Sequence, residues 1–489
     1  MDREPHFERR AGLPSLLDWT PATVRPAAKT SRSARLVLLA RPLWAYRTEL
    51  AGLLALWLAL GLLTSRVGLD VAGLLVSVGL GAVFAVPASR DWALGRLHVA
   101  QLRRHWEVAV RYANLTNFND RAPRVLRHRT TPGGERLLVQ VPKGRTVSDL
   151  DGEAERLAAT MRVPEVRVAR LGADRDASLA VVRVVRRDPL ARPLPWPWPH
   201  LDAPRLSLWA PVPVGVDEDG ELVSVRLIER NVLFGGEPGA GKSVAQSMLV
   251  ATAALDPTVR LILLDGALVE LSPWRPCADR FVGPSPEEAL EVFEGLRVEV
   301  DERLRFLDSQ GCRKIAPDLG LSLIVVVIDE KAFYLHTGNA KLDREITAAL
   351  RDLLMRGRKT GIIGLAATQK PSGQVIPTEL RDMYAVRWAF RCTTPDMSDT
   401  VLGRGWAARG YSAHTVDLEQ RGVGLLLAEG ALPRRLRTFY LADEDLAVLA
   451  RRAHDLRQGV APTPTPDRPA SLPPATSAPD EPAWWSPDF

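Results

Sequence analysis

The chain has 489 residues, and a length of that order exceeds one compact domain and calls for several. Its three cysteines, Cys277, Cys312 and Cys392, lie far apart and its eight histidines are scattered, which excludes a disulfide framework and a Cys/His metal site. The formal net charge is only +6 and the cations are mostly arginine, which a genomic base-composition bias would produce as readily as phosphate binding, so charge alone assigns no nucleic-acid role.

Residues 1–46 form an N-terminal segment ahead of two nearly uncharged apolar stretches, Glu49 to Leu63 and Val67 to Ala88, the second carrying only Asp70. Residues 47–88 therefore read as a two-helix transmembrane hairpin joined by a short loop, Thr64 to Val67. Basic residues precede the hairpin (Lys29, Arg32, Arg35, Arg41, Arg47) and follow it (Arg90, Arg96, Arg103, Arg104), so the positive-inside rule puts both flanks in the cytoplasm of a cell-membrane protein. The apolar run starts too far from Met1 for a signal peptide. A buried helical hairpin of a soluble protein is the competing reading. Residues 89–199 alternate strand-like runs, Arg136 to Val141 and Ala180 to Val185, with a helix near Leu150 to Arg162, as a small accessory α/β domain does. The run Pro193-Leu-Pro-Trp-Pro-Trp-Pro199 closes that domain as a linker, its tryptophans expected to pack on a domain surface rather than stack on bases.

Residues 200–456 hold the chemistry. Asn231 to Phe234 reads as a buried strand, and it feeds Gly236-Glu237-Pro238-Gly239-Ala240-Gly241-Lys242-Ser243, which fits the G-x-x-x-x-G-K-[ST] phosphate loop; the nucleotide-binding stretch includes Val244, at the start of a helix that runs from Ser243 to about Leu255. Small residues let successive backbone N–H groups turn inward around phosphate oxygens. Lys242 reaches the β- and γ-phosphates and the Ser243 hydroxyl ligates Mg²⁺, so the pattern predicts ATP and Mg²⁺ as cofactors. The strand Leu323 to Ile328 ends in Asp329-Glu330, a carboxylate for the Mg²⁺ shell followed by one placed to orient and deprotonate the attacking water. Another apolar strand, Val259 to Asp265, lies between these motifs in the chain, so the phosphate-loop and metal strands need not be neighbours in the sheet. This is the additional-strand arrangement of RecA-like α/β motors. Ser285-Pro-Glu-Glu288 opens a long helix to about Asp308. Gly361 to Gln369 is a further strand ending in Thr368-Gln369, a polar pair suited to sensing the γ-phosphate.

Asp265-Gly-Ala-Leu-Val-Glu-Leu271 resembles the Asp-Pro-Lys-x-x-Glu-Leu stretch of the FtsK/SpoIIIE DNA translocases, and Ala366-Ala-Thr-Gln-Lys-Pro-Ser372 resembles their Ala-Thr-Gln-Arg-Pro-Ser. The likeness continues through Val386 to Phe390 and Asp399 to Gly403 and spans roughly Val214 to Leu427. Gly266 and Ala267 stand where the family has Pro-Lys, so no role of that lysine carries over. The resemblance implies a RecA-like P-loop ATPase that assembles as a homo-hexamer around double-stranded DNA. It also implies an arginine that completes the neighbouring subunit's site, with Arg387 the first choice, then Arg391, then Arg356 or Arg358; a structural ion pair is the competing role. The accessory segment resembles, more weakly, the domain that precedes the motor in that family.

The tail, residues 457–489, is rich in Pro, Ser, Thr and Ala and reads as disordered, with Trp484-Trp485 a candidate docking motif for a protein partner. It does not resemble the winged-helix module by which family members read DNA orientation. The resemblance therefore implies a membrane-anchored, ATP-driven translocase of double-stranded DNA in conjugal transfer of a plasmid or integrative element, like the actinobacterial conjugal transfer ATPases. The alternatives are a chromosome-partitioning translocase, a type IV coupling protein for single-stranded DNA, a protein-export ATPase and a nucleotide-dependent scaffold.

Overall fold

The structure is a computed structural model that describes residues 47–171, 176–194, 196–369, 371–373, 377–428 and 431–459; the expected N-terminal segment and Trp484-Trp485 lie outside them. The chain divides into two compact units, one of residues 1–125 with 142–145 and one of residues 126–141 with 146–489.

In the first unit, helix α1 (Arg47–Val67) and helix α2 (Leu69–Ala85) are parted by Gly68 alone, at φ 86. The loop expected over Thr64 to Val67 is instead the last turn of α1. Thr64 and Ser65 sit in that turn because their hydroxyls donate back to the carbonyls of Gly61 and Leu62, satisfying themselves inside the helix. Leu54, Trp57, Leu58, Leu62, Leu74 and Val78 are exposed along the two helices. Among the described residues no helix is long and apolar enough to cross a membrane, and α2, with 17 residues, is shorter than the ~20 that a perpendicular span needs. Helix α3 (Pro87–Tyr112) buries Leu102, Trp106, Ala109 and Val110, a stripe at helical spacing.

The second unit holds two sheets. The smaller has the order β1-β2-β4-β3, built from β1 (Arg124–Thr131), β2 (Gly134–Gln140), β3 (Glu165–Arg170) and β4 (Leu179–Val185). Strands β2 and β4 are the runs read from sequence. The other two, Arg-Val-Leu-Arg-His-Arg-Thr-Thr and Glu-Val-Arg-Val-Ala-Arg, are so charged that their alternation is hidden. The single helix expected near Leu150 is two: α4 (Val147–Gly152), capped by Thr146 and Asp149, and α5 (Ala154–Met161), with Glu153 between them. Of the linker tryptophans, Trp198 is buried and its Nε1 donates to the Pro213 carbonyl, a packing role.

The larger sheet has ten strands in the order β6-β5-β14-β13-β12-β7-β11-β10-β8-β9. In chain order its elements are β5 (Val212–Asp217), β6 (Leu222–Val225), β7 (Val232–Gly235), α6 (Lys242–Ala254), β8 (Val259–Leu264), β9 (Arg280–Val282), α7 (Pro286–Ser309), β10 (Leu323–Ile328), α8 (Lys331–Leu335), α9 (Ala340–Thr360), β11 (Ile362–Thr368), α10 (Thr378–Arg381), β12 (Val386–Phe390), α11 (Pro395–Leu402), β13 (Val423–Leu427), β14 (Arg434–Thr438) and α12 (Asp443–Arg457). Strands β12, β7, β11, β10, β8 and β9 run parallel, and β13, β14, β5 and β6 continue the sheet antiparallel. Both faces of the parallel part are covered, which is why Leu-Ile-Val-Val-Val-Ile of β10 is apolar throughout. Val325 and Val327 enter one core with α6 and α12, while Ile324, Val326 and Ile328 enter the other with α7 and α9. Strand β11 separates β7 from β10, so the phosphate-loop and metal strands are indeed not neighbours; the separator is the Thr368-Gln369 strand, and β8 lies on the far side of β10.

Candidate ATPase site

Four parallel strands lead into the phosphate loop and the carboxylates, and all four end at the same edge. The phosphate loop follows β7, Asp265 follows β8, Asp329 and Glu330 follow β10, and Thr368 closes β11. This is the carboxyl edge of an open α/β sheet, where ligands of such sheets bind.

The loop is shaped by glycine. Gly241 has φ 111, and a Cβ there would stand 2.7 Å from the Gly422 Cα, so only glycine lets the loop turn into α6 against the backbone of residue 422. The N-terminus of α6 then faces the loop, with its free N–H groups and positive dipole end on the side where an anion would lie. Lys242 Nζ donates to the carbonyls of Gly236 and Glu237, each at 2.7 Å, which keeps its charge folded over the loop. Burial lowers the Lys242 pKa, partly opposed by Glu330 and Asp329. Glu237 is tied to the end of β12: its N–H donates to the Arg391 carbonyl, and its carboxylate pairs with Arg391 Nη1 at 2.6 Å and accepts from Thr393 Oγ1. Gln246, one turn into α6, donates to the Ile328 carbonyl of β10. Ser243 and Val244 are half-buried at the first turn of α6.

Glu330 is held on three sides. Its Oε1 accepts from the Thr368 hydroxyl at 3.0 Å and from Ala332 N–H at 3.0 Å, and its Oε2 accepts from Gln369 N–H at 2.8 Å. A carboxylate offers about four acceptor positions, so one remains, on Oε2, for a water. The expected Gln369 side chain is exposed; its backbone N–H and the Thr368 hydroxyl hold the carboxylate. Asp329 is only 8% exposed, and burial, then Glu270, Asp265 and Glu330, push its carboxyl up to about 7. Asp265 itself spends both oxygens on the N–H groups of Ala267 and Leu271, which curls the loop after β8 and carries Glu270 toward Asp329. Sequence reasoning missed Glu270 as a neighbour of the metal carboxylate, because the meeting depends on β8 pairing with β10.

Among the described residues no group of three or more His, Cys, Asp or Glu side chains is set to hold a metal alone. Mg²⁺ needs less: it keeps several waters and takes one or two protein oxygens beside substrate phosphates. A buried carboxyl raised by neighbouring acids next to the Ser243 turn fits that demand, so Ser243 and Asp329 would hold the ion, which supplies charge neutralisation at the phosphates.

The arginine candidates are all engaged within the chain. Arg387 lies inside β12 with its side chain 21% exposed, 3.5 Å from Asp382, its Nε buried without a partner, and burial lowers its pKa. Arg391 pairs with Glu237, Arg356 with Asp352 and Asp301, and Arg358 donates to the Glu229 carbonyl.

Residues 205–409 match the model of the FtsK/SpoIIIE family. This stretch is an FtsK/SpoIIIE-family P-loop ATPase domain. The DNA translocase FtsK of Mycobacterium tuberculosis is 28% identical over 260 residues, 48% of this chain and 30% of that protein. The DNA translocase FtsK of Chlorobaculum tepidum is 27% identical over 217 residues, 40% of this chain and 26% of that protein. The chain thus spans about a third or less of the curated relatives it matches. Among solved structures, the pCW3 conjugation coupling protein TcpA, a monomer form with ATPγS, is similar at TM-score 0.48 and 19% identity, over 73% of this chain and 99% of that one.

Proposed function

We propose that the chain is an ATP-driven translocase of double-stranded DNA, anchored in the cell membrane by the hairpin of residues 47–88 and acting as a homo-hexameric ring with its motor in the cytoplasm. The observation that carries the reading is Glu330, a base candidate clamped by Thr368 and Gln369 beside a complete phosphate loop, inside an FtsK/SpoIIIE-family domain. A scaffold that merely binds nucleotide has no use for such a base. The relatives that align over this domain are named DNA translocases. Exposed leucines along α1 and α2 support the anchor. In the ring, Arg387 is the residue we assign to the neighbouring subunit's γ-phosphate, which requires it to leave Asp382 on assembly. Conjugal transfer is the cellular setting we assign, on the resemblance to the actinobacterial conjugal transfer ATPases noted in the sequence.

The test uses the full chain in detergent. Duplex DNA is expected to stimulate ATPase more than single strands, and ATP to drive displacement of a triplex-forming strand. Stimulation by single strands only would favour the coupling-protein alternative, and no response to DNA would favour protein export. In cells, a recipient restriction enzyme that cuts only duplex DNA should abolish transfer.

A further inference from the structure

The turn that backs the phosphate loop is fastened to the end of the accessory sheet. Gly422 N–H donates to the Ala240 carbonyl at 2.9 Å, and its own carbonyl accepts from Thr438 N–H of β14. Gly422 has φ 81 and touches Gly241, so the turn cannot shift without moving the loop. Two residues earlier, buried Gln420 donates through Nε2 to Asp188 Oδ2 at 2.8 Å and accepts through Oε1 from Arg435 Nη2 at 3.0 Å. Arg435, on β14, closes the figure by donating to both oxygens of Asp188, at 3.0 and 2.8 Å, and to Glu218 at 2.9 Å. Asp188 lies just past β4 of the accessory sheet. Its flank is seated too, because Leu190 packs on Val416 and Val423 on either side of the turn. Glu218 in turn pairs with Arg167 of β3 at 2.8 Å.

The side-chain contacts of Asp188, Gln420, Arg435 and Glu218 lie outside the ladder hydrogen bonds that pair the strands of the larger sheet. What they do is hold one carboxylate of the accessory sheet, through a planar and fully charged guanidinium, against the peptide that touches the loop. We propose that Asp188 is a positioning residue for nucleotide binding, acting through Arg435, Gln420 and Gly422, so that the accessory sheet sets the affinity of the phosphate loop. The inference rests on the ATPase reading above. Forces applied to the accessory sheet by a bound partner would reach the loop by this route.

The test is the affinity of the full chain for a fluorescent ATP analogue, read together with ATPase kinetics. Asp188→Asn should weaken binding roughly 10-fold, about 1.4 kcal/mol, and raise KM by a like factor with kcat at saturation little changed. Asp188→Glu should recover most of the loss, and Gln420→Ala, a neutral truncation that carries the test should Asp188→Asn fail to fold, should weaken binding in the same direction. Wild-type affinity in Gln420→Ala and Asp188→Asn, with only an earlier melting transition, overturns the inference and leaves the ATPase reading standing. Failure of the wild-type chain to bind the probe overturns the ATPase reading itself and the inference with it.

Discussion

Two carboxylates that follow one another at the end of β10 are given different chemistry by their surroundings. Glu330 is bonded to a hydroxyl and two N–H groups, so Glu330→Gln should keep ATP bound and lose turnover by roughly 10²-fold or more, in a pre-steady-state assay that separates binding from hydrolysis. Thr368→Ala removes one restraint of three and should cost about 10-fold in kcat with binding kept. Near-normal turnover in Glu330→Gln would take the base role from Glu330. Asp329 is raised instead, from an unfolded value of about 3.9 to about 7, mainly by burial. The folded state therefore holds a proton there that the unfolded chain releases, and stability is lost as pH climbs from about 4 to about 7. Metal-free Asp329→Asn should accordingly be more stable than wild type at pH 8, by on the order of 4 kcal/mol and with a higher melting point, and as stable as wild type at pH 4. A lower melting point for the variant at pH 8 would reject this. These residues were legible in the sequence because the phosphate loop and the Asp-Glu pair are contiguous strings whose spacing states their use. The partners that tune them, Thr368, Glu270 and Asp265, come from other strands. Only the sheet order puts them there.

At the scale of elements, the parallel strands β7, β8, β10 and β11 were legible as largely apolar runs, whereas β1 and β3 were not, because arginines on their outer positions pair with acids far away in the chain. Arg167 of β3 meets Glu218 and Arg129 of β1 meets Glu221, both in the turn between β5 and β6. No local pattern announces such a match. Asn231 shows the same limit in a single residue. It reads as the start of a strand, yet it is 1% exposed and stitches four elements: its Nδ2 donates to the carbonyls of Leu354 in α9 and Met383 before β12, and its Oδ1 accepts from Gly364 in β11, while its own chain enters β7. Asn231→Ala would leave those buried backbone groups unpaired at the root of the phosphate-loop strand. The expected loss is about 3 kcal/mol in urea unfolding of the full chain in detergent, and a loss below about 0.5 kcal/mol would mean that water replaces the side chain at no cost.

At the scale of the whole molecule, the proposed anchor is what would decide where the motor works. Helix α1 has 21 residues, and at 1.5 Å per residue it is about 30 Å long, the thickness of a bilayer's hydrocarbon core. Helix α2, with 17 residues, reaches roughly 25 Å and needs local thinning of the bilayer or the first residues of α3 to complete a crossing. In the proposed anchor, the end of α1 carries Arg66, which could extend its charge to the far interface, and the first turn of α2 carries Asp70. The flanks are more basic than the turn, so both should stay in the cytoplasm and the turn should face outward. Reporter fusions after Arg47 and after Arg104 should both register cytoplasm, and a fusion at Gly68 should register the outside. Alkaline carbonate washing should leave the intact chain in the membrane fraction, since it strips proteins held by charge and leaves those held by buried apolar helices. A chain that washes off, or that fractionates freely soluble at the outset, would make α1 and α2 a buried hairpin, and its exposed leucines would then have to be covered by another protein or a second copy.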